Sequence, residues 1–114
     1  MSRLAAIHGD WTVLLNHEAR IVCEVGVREN VFGGATASSS IGRHILSFVC
    51  PDDMQLAFDK MEAALVAIGL GVEVPFQIRA RAGDGPWQAV DVLAVNRFDD
   101  PHLNAMVLRV NRIR

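Results

Sequence analysis

Apolar positions along this chain keep two rhythms, one near 3.6 residues and one of two. Trp11 to Asn16 and Arg20 to Val25 are short runs with strand composition, and the "HEA" between them suits a tight hairpin. The next stretch, "GVRENVFGGATASSSIGRHILSF", is broken by glycines and serines and has room only for short helical turns. Gly33-Gly34 reads as a helix stop, and one of Ser38, Ser39 and Ser40 as the cap of a turn running through Ile45 and Leu46. Met54, Phe58, Met61, Leu65 and Ile68 then recur at steps of 4, 3, 4 and 3, which puts all five on one helical face. Gly69 and Gly71 close that helix.

A cysteine and two adjacent carboxylates stand where the helix begins, in "FVCPDDMQLAF". If Asp52 is the N-cap, Gln55 falls at the third helical position and completes a capping box. Asp53 then lies in the first turn, where negative charge favours the helix dipole. Pro51 discourages helix from extending back through Cys50. The two acids therefore read as helix chemistry rather than as a general acid and base.

Beyond the helix the period changes to two. Val72, Val74, Phe76, Ile78 and Ala80 alternate with Glu73, Pro75, Gln77, Arg79 and Arg81, the pattern of a half-buried strand. Pro75 cannot donate to a ladder and belongs at an outward edge position or a bulge. "AGDGP" turns the chain into a strand over 87–96, and "FDDPH" turns it again into one over 103–111. Each of these two strands is apolar on both faces. Leu93, Val95, Leu103, Ala105 and Val107 form one set; Val90, Val92, Ala94, Met106, Leu108 and Val110 form the other. Helices can cover only one face, so an N-terminal segment, a partner chain or both must cover the second. The expectation is that the Val90–Val110 set faces away from the helices. It would then meet Leu4 and Ile7 and a second copy in a two-fold dimer.

Composition narrows the function. The chain has 114 residues, formal net charge −2 and 51% hydrophobic residues, which fits one globular domain without the basic footprint of a nucleic-acid binder. Two cysteines, no leader-like N-terminus and no bilayer-length apolar run point to a reducing cytoplasm and no membrane insertion. No phosphate loop, nucleophile elbow or zinc-type ligand spacing occurs, so no catalytic or metal-binding residues are expected.

Two strands, short helices, one longer helix and a three-stranded meander make up the element order of the PAS sensory domain, and three segments carry the resemblance. "IGRHILSFVCPDD", Ile41 to Asp53, resembles the family's Ile-Gly segment leading to a valine-histidine-proline-aspartate-aspartate signature, with Cys50 where histidine is common. "VPFQIRARAGDGPWQAVDVLAVN", Val74 to Asn96, resembles the family's strand, acidic-glycine hairpin and tryptophan-bearing strand. "DDPHLNAMVLRVNRIR" resembles the final loop and strand, except that Arg112, Ile113 and Arg114 replace the aspartate-isoleucine-threonine triplet that couples sensor to output.

The resemblance implies an α+β, PAS-like fold: a five-stranded antiparallel sheet with helices between strands two and three. Residues 11–114 would form the domain and residues 1–10 an N-terminal extension, a cap over the sheet or a dimer contact. It implies a cytoplasmic sensory or interaction module of a bacterial-type signalling protein, without catalysis of its own. Such a module would act on a histidine kinase, a cyclic-dinucleotide enzyme or a transcription factor. A small ligand would lie between sheet and helices, against Phe58, Met61, Phe76 and Ile78, with His44 as a polar contact. The alternative is a haem- or flavin-dependent sensor. It is not favoured, because the flavin-type asparagine-cysteine-arginine-phenylalanine run is absent and residues 53–68 hold no histidine. His44 is the one histidine placed to face the interior; His8, His17 and His102 fall in the tail and turns. Cys50 reads as a small hydrophobe ahead of the helix rather than as a redox-sensitive thiol.

Overall fold

Antiparallel pairing organises the residues that the computed structural model describes, 11–26, 40–67, 71–83 and 85–113. The strands are β1 (Trp11–Leu15), β2 (Ile21–Gly26), β3 (Glu73–Ala80), β4 (Gln88–Arg97) and β5 (Ala105–Arg112). They form one five-stranded sheet in the order β2-β1-β5-β4-β3. Among the described residues between β2 and β3 come two 3-10 turns, Ile45–Phe48 and Pro51–Asp53, and the helix α1 (Met54–Leu65). This is the α+β arrangement that the resemblance implies, and the strands fall where the hydrophobic pattern puts them, with ends moved by one or two residues. Gly33, Gly34, Ser38, Ser39, Ile68, Gly69, Leu4 and Ile7 lie outside the described residues.

The hairpin turn at 16–20 is built by Asn16, whose Oδ1 accepts the N–H groups of Glu18 at 2.9 Å and Arg20 at 3.0 Å. Ala19 takes the left-handed conformation there, with φ 60°. At the far turn Asp100 Oδ1 accepts His102 N–H at 2.8 Å, and Asn104 has φ 44°. Short polar side chains hydrogen-bonding to the local backbone are what make such turns tight.

Register decides which side chains share a face, because directly paired residues point the same way. One row across the sheet reads Trp11, Val110, Val92, Phe76, and the next Val13, Leu108, Ala94, Val74. These rows are in the main core with Ile45, Phe48, Ala57 and Ala64. The sequence-based assignment of faces is therefore reversed. Val90, Val92, Ala94, Met106, Leu108 and Val110 pack under the helices, each at most 4% exposed, and are not available for a dimer contact. The outer face carries Leu14, Val107 and Val95 in one row and Thr12, Arg109 and Leu93 in the next. Alternation fixes the two sets but not which one meets the helices. Polarity does: Asp91, Arg109, Asn111 and Gln77 all share the outer set.

α1 also turns a different face inward from the one its large residues mark. Ala57 and Ala64 are buried and Met61 half-buried, whereas Phe58, Leu65 and Met54 remain 47%, 44% and 36% exposed. Small side chains let the helix axis come close to the sheet. The bulkier flank is left beside the contact.

The capping box does not form. Asp52 is exposed, Gln55 Nε2 donates to Asp59 at 2.9 Å, and the residue preceding the helix, Asp53, makes no side-chain cap. The 3-10 turn at Ile45 is capped not by a serine but by His44, whose Nδ1 accepts Leu46 N–H at 3.1 Å.

Cys50 N–H bonds to Arg79 O at 2.8 Å and Arg81 N–H to Phe48 O at 2.9 Å, so residues 48–50 extend the edge of β3 by a short ladder. Arg79 therefore turns its backbone groups outward. By alternation Gln77 and Pro75 do the same, which puts the missing donor of Pro75 on the open edge of the sheet, as expected of an edge proline.

Candidate ligand-binding site

The space between the inner face and the helical segment is lined by aromatic and branched side chains. Trp11 and Phe48 meet edge-on, with ring centroids 5.5 Å apart and planes at 68°. The indole N–H of Trp11 is satisfied by Glu24 Oε1 at 2.8 Å, so this wall presents only carbon to the interior. On the solvent side of Phe48, the Arg43 guanidinium lies 4.3 Å from the ring centroid.

These side chains leave a cavity of about 30 Å³. Met61 and Ala57 of α1 form one wall with Ile45 and Leu46; Phe76, Ile78, Val90 and Val92 form the opposite one. No polar atom lines it. A water molecule needs two to four polar partners, so a space of this chemistry stays dry or takes an apolar guest.

Of the residues expected at a ligand site, Met61, Phe76 and Ile78 do line the cavity, while Phe58 and His44 do not. His44 is occupied as a cap, and Phe58 lies on the exposed flank of α1. Trp11, Val90, Val92, Leu108 and Val110 line it unforeseen. Their signal was present in the sequence. The antiparallel hairpin that places Phe76 inward also places Val92 inward, because the two are directly paired.

Charge lies outside the lining, where the N-terminal end of α1 meets β3. Asp53 Oδ2 accepts Arg79 N–H at 2.8 Å and Nε–H at 3.0 Å, and Oδ1 accepts from Nη2 at 3.1 Å. Side-chain hydrogen bonds from Arg79, followed by the backbone bond from the same residue, hold the Asp53 carboxyl below its usual range. The same contact raises Arg79. Asp52 is a looser neighbour, 3.9 Å from Arg79 Nη2.

Among the described residues no group of three or more His, Cys, Asp or Glu could hold a metal ion. No described helix is long and apolar enough to cross a membrane. His8 lies outside the described residues; of the others, His17 is exposed and stacks on Phe98 at 3.9 Å, and His102 is exposed. A haem or flavin does not fit the described cavity, since drug- and cofactor-sized pockets run from about 300 to 1,000 Å³, and His44 is not part of its lining.

Known structures with this arrangement are PAS domains. The PAS-B domain of Drosophila melanogaster Cycle with bound ethylene glycol superposes with a TM-score of 0.70 at 9% identity, covering 90% of this chain and 99% of that one. The chain has the PAS fold. A tryptophan-to-alanine variant of the same Cycle domain, with bound glycerol, gives 0.71 at 10% identity over 90% and 99% of the two chains. The PAS domain of a Colwellia psychrerythraea protein gives 0.71 at 15% identity over 90% and 85%. No protein-family model and no curated protein sequence matches the chain.

Proposed function

We propose that this PAS-fold chain is a cytoplasmic sensory domain of a bacterial-type signalling protein, without catalysis of its own, that binds a small apolar molecule between α1 and the sheet. The observation that carries this reading is the wholly apolar cavity at the centre of the domain. The wild-type Cycle domain holds bound ethylene glycol and its tryptophan-to-alanine variant bound glycerol. A polyol would find no hydrogen-bond partner against this lining, and burying it unpaired is costly. A hydrocarbon or small aromatic guest matches better. Binding would shift α1 against β3 and so pass a signal to a kinase, cyclic-dinucleotide enzyme or transcription factor.

The outer face belongs to assembly in this reading. On the side away from the described helices, Ala105, Val107 and Val95 are already buried within the single chain, so the surface left for a second copy is the one around half-buried Leu93 and Arg109. Residues 1–10 lead directly into Trp11 at the start of β1, and Leu4 and Ile7 are expected, from the sequence, to contribute to this contact. A second copy completes it in a two-fold dimer.

Thermal shift with benzene, toluene and glycerol tests the ligand reading. The aromatic compounds should raise the Tm of the wild type and not that of Val92→Phe, which fills the cavity; glycerol should show no such difference. Equal shifts in both proteins would refute it. A visible spectrum with a haem or flavin band at near-stoichiometric occupancy would favour the cofactor-dependent alternative instead.

A further inference from the structure

α1 is fastened to the sheet at its two ends by different chemistry. At its C-terminal end Asn96, 3% exposed, donates Nδ2–H to Leu65 O at 2.9 Å and accepts Phe98 N–H at 2.9 Å. At its N-terminal end Asp53 takes three hydrogen bonds from Arg79. Among the described residues no hydrogen bond joins the stretch 54–64 to the sheet, where Ala57, Met61 and Ala64 make apolar contact only. The cavity lies under that stretch.

The cavity is too small as it stands for the guests its lining would accept. Apolar cavities of about 150 Å³ hold benzene, against about 30 Å³ here. Most of its lining is buried: Trp11 is 1% exposed, Phe48 2% and Phe76 and Ile78 8% each. A guest of that size is accommodated only if an element moves. β3 is an edge strand, so the seam between α1 and β3 has no further strand behind it.

The two fastenings do not release equally. Opening at Asn96 would strand a buried amide and a helix carbonyl without partners. Asp53 and Arg79 exchange their contact for water more easily, since the Arg79 side chain is already 49% exposed. We propose that α1 is a lid over the core cavity, latched by Asp53 and Arg79 and hinged at the Asn96–Leu65 strap. When the latch opens, the short ladder at residues 48–50 keeps the preceding segment on β3. α1 then rolls outward about the line between that ladder and Asn96, parting Ala57 and Met61 from Phe76 and Ile78. The lid rests on the ligand reading above, but its opening can be measured without a ligand.

Trp11 lines the cavity and reports on it. In a Trp87→Phe background, stopped-flow fluorescence of Trp11 gives benzene association and dissociation rates, and acrylamide quenching gives access without benzene. Asp53→Asn and Arg79→Gln should each raise both benzene rates at least tenfold with less than a threefold change in Kd. The quenching constant and amide exchange across 57–61 should rise with them. Unchanged rates, quenching and exchange in two folded variants would overturn the lid. If quenching and exchange rise while benzene binds neither the parent nor the variants, the lid stands and the ligand reading falls.

Discussion

Asp53 stands in the sequence as one of two acids before a helix, and its role depends on a residue 26 positions away. Local rules assign it to the helix dipole, because Arg79 is invisible to any short window. The bond has a pH signature whose sign follows from its direction. The folded-state carboxyl titrates below its ordinary value, with Arg79 as cause and Asp52 the nearest further acid. The stability it supplies is therefore complete above the unfolded-state value near 3.9 and is lost as pH falls through the lower folded-state value. Thermal melts from pH 7 to pH 2 should show the wild type more stable than Asp53→Asn at neutral pH, with the gap closing below about pH 4. A gap independent of pH would mean that the carboxylate charge contributes nothing.

The elements themselves are legible, because each rests on a short-range signal. Period-two runs give β3, β4 and β5, polar turn residues give the hairpins, and Pro75 marks an open edge. Faces are less legible. For α1, summed hydrophobicity points to Met54, Phe58 and Leu65, but the contact with the sheet is made by Ala57 and Ala64, where closeness counts for more than size. Ala64→Leu should thus destabilise the domain by about 1–3 kcal/mol, as overpacking does. Phe58→Ala should cost less than this. Urea denaturation decides between them, and the opposite ranking would restore the face marked by the large residues.

At the scale of the whole molecule, the cavity was half legible: Met61, Phe76 and Ile78 follow from a helix laid on a strand, but the β4 and β5 wall required the register. The reversal of faces changes what mutations report. Leu108, 3% exposed in the core, cannot be a handle on assembly. Leu108→Glu would bury an unpaired charge and unfold the domain. Leu93, half-buried on the outer face, is the better probe. Light scattering at micromolar concentration should show a dimeric wild type and a folded, monomeric Leu93→Glu; a monomeric wild type, or a folded Leu108→Glu, would count against this arrangement.

The central claim is that the core itself is the ligand site. Methyl-resolved NMR during a benzene titration tests it most directly, since methyls of Met61, Ile78, Val90, Val92 and Leu108 surround the cavity while those of Leu14, Val95 and Val107 lie on the outer face. The account predicts saturable shifts in the first group and none in the second. Shifts confined to the outer face, or a core that stays silent at saturating benzene, would contradict it.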